Sequence, residues 1–423
     1  PRVSTEKVSK DIIDKAIQSY ERAFDQEYGG VGHQPKFPSS LPIRLLLRQY
    51  RISQNADVLK MATTTLDKMA AGGMYDQVGG GFHRYSVDRI WLVPHFEKML
   101  YDNALLVLAY TEAYQVTKDE NYKRVATETL DYVLKDMTSP EGAFYSATDA
   151  DSLNLNGHRE EGFYFTWTVD ELTEVLSKEE FDAVVAYYSV NKAGNFEGRS
   201  ILNSPRNKKE VAKKIGISTH QLEKSIETAK PKLYAERNKR PLPIRDEKIL
   251  SAWNGLMISA FSVAGFVFGK DKYVTAAKTA ADVVNQKMMS GQTLMRSYKD
   301  GQAKYLGYLN DYAFLIAGLI DTFQATQQVK YLTRALALQT VLDDEYWDDS
   351  SGGYFMTSDK GEKLLAREKP VHDGAVPGGN SVALMNLLRL YSLTTEKTYI
   401  EKAQKLMDLY GQSLSDHPTS LSE

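Results

Sequence analysis

His95-Phe96-Glu97-Lys98-Met99-Leu100-Tyr101-Asp102-Asn103-Ala104-Leu105-Leu106-Val107-Leu108-Ala109-Tyr110, with Tyr122 and Ala126 beyond it, holds one copy of the unit that repeats along this chain. Asn103 opens a helix that is apolar on nearly every side, the mark of a helix buried on most faces. Nineteen residues later Tyr122-x-x-x-Ala126 starts a second helix. Spacing of four puts that pair on one face, and Leu130, Val133 and Met137 continue it while charges take the other. The unit is a buried helix, a short turn and a one-sided helix.

Working outward, the same unit recurs. Asn254 stands nineteen residues before Tyr273/Ala277, and Asn380 nineteen before Tyr399/Ala403. Asp311 stands twenty before Tyr331/Ala335, and Ser39 nineteen before the weaker copy Val58/Ala62. Five copies are visible. A sixth, less regular one is expected within 168–240, where Thr168-Val169-Asp170-Glu171 has an acidic first turn. Pro231 is expected to kink or split the helix over Thr219–Arg237, and a first helix over Ser4–Asp25 is expected at the seam. Self-similarity at a fixed period marks a repeat architecture. The expected fold is an all-α (α/α)6 toroid forming a single domain over 1–423, with an open helical solenoid as the competing architecture.

Short turns follow the buried helices and long loops follow the one-sided ones. The long loops share a Gly-aromatic theme (Tyr28-Gly29-Gly30-Val31, Gly80-Gly81-Phe82, Glu141-Gly142-Ala143-Phe144-Tyr145, Gly352-Gly353-Tyr354-Phe355). Several read as small β-hairpins. Antiparallel alternation gathers them at one end, where the buried helices begin. That end is the expected functional mouth, since loops on a rigid scaffold carry function.

Charge is nearly balanced, 52 Lys+Arg against 55 Asp+Glu, so nothing favours nucleic acid or an anionic membrane as partner. The basic run Lys230–Arg245 reads as a solvated helix end. No run of about eighteen apolar residues stands out as a membrane span. With no cysteine there is neither a disulfide framework nor a thiolate site. No signal-peptide pattern is seen, and a cytoplasmic location is expected.

Histidine titrates near neutrality, which makes His83, His95 and His372 the acid/base candidates, with Glu97 beside them. Carboxylates are plentiful in the same loops: Asp76, Asp88, Asp149, Asp151, Glu160, Glu161, Asp246, Asp311 and Asp373. Glycoside hydrolysis needs two of them about 5–5.5 Å or 6.5–9.5 Å apart. Arg84 could orient a polar ligand, while Tyr85, Trp91, Tyr101, Tyr164, Trp167 and Trp253 could stack on a sugar ring. Met99, Met257 and Met385 read as core. The helix openers Asn103, Asn254, Asp311, Asn380 and Ser39 read as N-caps that can also face a ligand. No zinc-ligand spacing appears, and no metal or cofactor is expected.

His95–Asn103 resembles the signature of YyaL-type proteins, also called spermatogenesis-associated thioredoxin-like proteins. The resemblance continues through Tyr75–Tyr85, Ser146–Ser152, Glu161–Tyr164, Asp246–Leu250, Trp253–Met257 and Asp373–Ala375. Pro377-Gly378-Gly379-Asn380-Ser381 stands where that family has Pro-Ser-Gly-Asn-Ser. The resemblance implies an N-terminal thioredoxin-like domain absent here, further C-terminal sequence, and a likeness to six-hairpin glycosidases and N-acylglucosamine 2-epimerases. It implies a carbohydrate-active enzyme, an epimerase/isomerase or a hydrolase, working on a small sugar-like ligand. The other expectation is a non-catalytic glycan- or peptide-binding module that partners a thioredoxin-like domain.

Overall fold

In the computed structural model, residues 11–362, 365–370 and 372–419 are described. Residues 4–10 of the expected first helix lie outside them, as does Ser420. The chain begins with α1 (Asp11–Ala23) and continues through α2 (Ile43–Ser53), α3 (Ala56–Ala71), α4 (Leu100–Thr117) and α5 (Glu120–Asp136). Then come α6 (Val169–Val175), α7 (Lys178–Tyr187), α8 (Lys208–Ile215) and α9 (Thr219–Arg237). The regular pattern resumes with α10 (Ser251–Phe268), α11 (Asp271–Lys287), α12 (Leu309–Thr326), α13 (Val329–Glu345), α14 (Gly379–Thr394) and α15 (Lys397–Asp416).

The architecture is the (α/α)6 toroid. Inner helices α2, α4, α10, α12 and α14 pack side by side in that order, each paired with the outer helix that follows it. Every inner-to-outer connection is two residues long and begins with a left-handed residue: Gln54, Lys118, Gly269, Gln327 and Thr395. A left-handed residue after the last turn ends a helix and redirects the chain at once. Helices α10 and α12 approach most closely where Gly255 and Gly318 face each other. A Cβ on Gly318 would stand 2.6 Å from the Gly255 carbonyl oxygen. The outer tyrosines Tyr122, Tyr273 and Tyr331 are buried as the repeat pattern requires, and Tyr399 is half-buried.

Four expectations change. The segment expected to hold a sixth copy does not enter the inner ring, because α4 packs directly on α10. Helices α6–α9 instead gather around their own apolar cluster of Trp167, Leu172, Val184, Leu222 and Leu233. Thr168 does cap α6 through a reciprocal box with Glu171. Helix α9 runs unbroken through Pro231, which sits on its exposed side; the carbonyl that proline leaves unpaired can turn to water there. Among the described residues six outer helices face five inner ones, with α1 as the sixth outer helix. The Tyr20 hydroxyl of α1 donates to the Thr419 carbonyl at 3.1 Å, tying α1 to the segment after α15. Met385 on α14 is exposed rather than core, whereas Met257 on α10 is fully buried. Helix α10 is also long and apolar enough to cross a membrane by composition, contrary to the sequence reading. It is a core helix, with 78% of its residues buried.

Short strands line the mouth. β1 (Tyr85–Ser86) pairs with β2 (Pro94–His95), and β3 (Lys98–Met99) pairs with β4 (Ala147–Thr148), which also pairs with β7 (Arg245–Asp246). β5 (Asp151–Leu153) pairs with β6 (Arg159–Glu161). β8 (Ile249–Leu250), β9 (Met289–Ser290) and β11 (Gln302–Leu306) all pair with β10 (Thr293–Lys299).

The Gly-aromatic loops follow one plan. After α1, α3 and α13 an aspartate begins a tight loop in which its own N–H and C=O bond to two glycines four and five residues on (Asp25/Gly29/Gly30, Asp76/Gly80/Gly81, Asp348/Gly352/Gly353). Both glycines have φ between +71° and +80°, where a side chain would be strained. A buried lysine (Lys36, Lys98, Lys369) bonds the aspartate and the first glycine's carbonyl, pinning each loop shut. Asparagines on the inner helices clamp the residue after the glycines. The Asn103 side chain accepts from Phe82 N–H and donates to Phe82 C=O, and Asn380 does the same to Tyr354. Asn254 clamps Phe144 in the sister loop after α5.

Candidate functional site

Pairing of β1 with β2 sets Tyr85 opposite His95, and their rings stack at 5.2 Å, 10° apart. Phe37 stacks on the ring of Tyr85 at 4.8 Å. The His95 side chain keeps 30% of its surface in solvent. Its Nδ1 lies 3.5 Å from Glu97 Oε2 and its Nε2 lies 4.0 Å from Glu161 Oε1 at the end of β6. Alternation along an extended chain brings Glu97 back to the face of His95. Arg84 Nη1 donates to the same Glu97 oxygen at 2.9 Å. Next to this group the Tyr101 ring meets Trp253 edge-on at 4.8 Å, joining the first turns of α4 and α10. Burial pushes the Tyr101 hydroxyl up to about 12, so it keeps its proton.

Two inner-helix carboxyls flank this group. Asp102 is buried with Oδ2 unpartnered, and lines a cavity of about 40 Å³ with Ser39, Arg44 and Leu105. Burial raises its pKa well above the usual carboxylate range; Arg84 opposes the rise and Glu97 adds to it. A neutral carboxyl can donate a hydrogen bond, which an ionised one cannot. Asp311 accepts from the N–H groups of Tyr308 at 2.8 Å and Ala252 at 3.0 Å, with Arg296 Nη1 at 3.3 Å. Burial pushes it up to about 6. Arg296 gave no signal in the sequence, because a lone arginine in a polar strand reads as surface.

The structure gathers Arg84, Tyr85, His95, Glu97, Tyr101, Asp102, Glu161 and Trp253, and disperses the other candidates. His83 is buried beneath Phe96 and Phe165, its Nδ1 2.9 Å from the Phe96 carbonyl oxygen. Burial, then the neighbouring Lys98 charge, push its pKa down to about 3, so it is a neutral core residue rather than an acid/base. Trp91 is fully buried and donates Nε1–H to the Tyr28 carbonyl, leaving no face for a sugar. Asn103, Asn254 and Asn380 are not N-caps: the side-chain oxygen and nitrogen of each are taken by loop backbone. Asp76 is sealed between Lys98 and Arg237, and Tyr164 bonds Asn238 in a different cavity. Asp149 and Asp151 both engage Arg159, at 2.7 Å and 3.5 Å. Asp373 accepts from Gly378 N–H at 2.7 Å in the loop before α14. His372 is exposed there. Among the described residues no group of three or more His, Asp or Glu side chains is placed to hold a metal ion.

The class defined by this ring is the six-hairpin toroid. It matches a D-mannose isomerase with a TM-score of 0.59 at 13% identity, covering 96% of this chain and 87% of that one. It also matches a family 76 α-mannanase of Bacteroides thetaiotaomicron with a TM-score of 0.51 at 11% identity, covering 95% and 82%. At such identities the likeness is one of fold. No family model matches the chain. In sequence the chain is a homologue of spermatogenesis-associated protein 20, the family its motifs resemble. It is 36% identical to the human protein over an alignment 447 residues long that covers 97% of this chain and 57% of that protein. An uncharacterized protein of Caenorhabditis elegans is 32% identical over an alignment 446 residues long that covers 98% of this chain and 61% of that one. The chain thus spans little more than half the length of these relatives.

Proposed function

We propose that the mouth binds a monosaccharide-sized ligand and that His95 moves a proton on it, as in aldose–ketose isomerisation. The observation that carries this reading is the half-exposed imidazole of His95, stacked on Tyr85 and flanked by Glu97 and Glu161. His95 removes the proton from the carbon beside the carbonyl, and the electron pair forms an enediolate. The proton returns to the neighbouring carbon while a hydroxyl proton passes between the two oxygens. Glu97 and Arg84 orient the ring, Tyr101 and Trp253 offer a platform, and Asp102 donates a hydrogen bond to a substrate oxygen. A single base suffices when the proton stays on one face. Epimerisation would need a second group on the opposite face, and His83 is packed in the core. The likeness in fold to a D-mannose isomerase agrees with this choice.

The test is solvent deuterium incorporation into mannose, fructose and glucose, followed by NMR. His95→Gln is expected to slow exchange by about 10²–10⁴-fold, the usual worth of acid–base help, with the melting temperature unchanged. Undiminished exchange in the variant overturns the role of His95. Reducing ends released from mannan without exchange would point to hydrolysis. Saturable sugar binding with neither activity would point to a binding module.

A further inference from the structure

Behind the β3–β4 pair lies a second cavity of about 440 Å³ where α5, α9 and β4 meet. Adjacent residues of a strand point to opposite faces, so Lys98 turns away from the side that carries Glu97. Opposite it in register stands Thr148. Lys98 and Arg237 form the floor, and Tyr132, Tyr164, Phe165 and Tyr234 form the walls.

The charges on this floor do not balance. Asp76 accepts from Lys98 at 2.8 Å and from both Arg237 Nη groups at 2.9 Å, and these two buried cations share that one carboxylate. Arg237 Nε has no partner. In the sister loop Asp25 likewise faces Lys36 and Arg89, but Glu27 lies 3.5 Å from Arg89 and supplies a second anion. The residue two places after Asp76 is Val78. At the rim Lys135 and Arg245 add two exposed cations. The rim carboxylate, Asp136, accepts from the Tyr234 hydroxyl at 2.7 Å, and Glu247 accepts from Arg245 at 2.7 Å. The lining therefore holds four cations and one carboxylate, Asp136, with Asp76 beneath the floor and Glu247 just outside. Buried charge without a counter-charge is costly, and an anion seated over the floor would offset it. The Tyr132 and Thr148 hydroxyls beside Lys98 face each other and have no further hydrogen-bond partner.

We propose that this cavity is a second ligand site, separate from the mouth, for a phosphate monoester carried on a ring the size of a sugar. The phosphate sits above Lys98 and Arg237 between Lys135 and Arg245. The ring lies against Tyr164, Phe165 and Tyr234, since aromatic faces accept the apolar face of a sugar or a base. A phosphate monoester suits the excess better than a carboxylate because it carries close to two negative charges at neutral pH.

Isothermal titration of the full chain with glucose 6-phosphate, uridine 5′-monophosphate, inorganic phosphate and glucose tests the assignment. At least one monoester is expected to bind, and glucose is not expected in this cavity, so any glucose binding at the mouth should be unchanged by the double variant below; which monoester binds identifies the carrier as sugar or nucleoside. The double variant Lys135→Gln/Arg245→Gln changes only exposed side chains and should weaken binding about tenfold or more, a loss of about 1.4 kcal/mol, with an unchanged melting temperature. His95→Gln should leave this binding intact, which separates it from the mouth. Failure of both monoesters to bind, or binding unaffected by the double variant, overturns the proposal. Binding lost in His95→Gln would place the ligand in the mouth and overturn it equally.

Discussion

The loops at Asp25 and Asp76 are built alike, with the same aspartate-to-glycine bonds, the same lysine pin and an arginine laid bidentate on the carboxylate. They differ in what surrounds that arginine. Arg89 keeps 39% of its side-chain surface in solvent and has Glu27 within reach, while Arg237 keeps 2% and is packed among aromatic rings. The third copy, at Asp348, has two serines in place of an arginine. One local design thus serves as a surface latch in one place and as the base of a charged cavity in another. What changes its role is the element packed against it, here α9.

That contrast can be broken by experiment. Asp76→Asn leaves two buried cations without a counter-charge and is expected to cost about 3–5 kcal/mol, as for breaking a buried ion pair. Urea denaturation at pH 7 reads it. Asp25→Asn should cost less, about 2–3 kcal/mol, because Arg89 can turn to Glu27 and water and only Lys36 is stranded. Equal losses would show that the surroundings of the arginine do not matter.

Acid titration sharpens the comparison. Asp25, Asp76 and Asp348 are all held below the usual carboxylate range, the opposing cost of burial outweighed by their cationic partners and, for Asp25 and Asp348, by loop N–H and hydroxyl donors as well. Their stabilisation is complete above about pH 4 and fades as pH falls through the lowered native values. His83, beside the Asp76 pin alone, adds a second slope. An unfolded histidine titrates at about 6.5, and in the fold His83 does so at about 3. Between the two the unfolded chain holds the extra proton, so stability falls as pH drops from about 6.5. His83→Gln should flatten that part of the curve. A slope that survives the substitution would belong to other groups.

The smaller effects lie at the edges. Lys369→Met should cost about 1–2 kcal/mol, since Ser350 and Ser351 still serve Asp348. Glu27→Gln should fall within about 0.5 kcal/mol, as exposed ion pairs contribute little. A larger loss there would mean that the surface copy depends on its second anion.

Most of the ring was legible in the sequence because buried and one-sided helices leave different apolar patterns, and a fixed spacing ties them. The spacing also singled out Asn103, Asn254 and Asn380 without revealing their task, since a cap and a backbone clamp prefer the same residue. His95 and Glu97 were legible as a pair, whereas His83 was not separable from them. All three lie in one loop, and only the packing of Phe96 and Phe165 over His83 distinguishes it. Arg237 reads in the sequence as part of a solvated basic run and Lys98 carries no reading at all, because the carboxylate that joins them is 161 residues away from Arg237 in sequence. The sixth repeat was misplaced for a related reason. Helical periodicity in 168–240 is real, but periodicity does not say which neighbours a helix has.

One consequence follows from the pairing of β4 with β7. Ala147 lies opposite Asp246, and the chain between them leaves the barrel and re-enters it at adjacent positions. It carries α6–α9, the wall of the second cavity and Glu161 beside His95. Such an excursion can vary in its outer parts while Arg237, which holds Asp76, and Phe165, which covers His83, stay in place, so ligand preference can be retuned on an unchanged barrel.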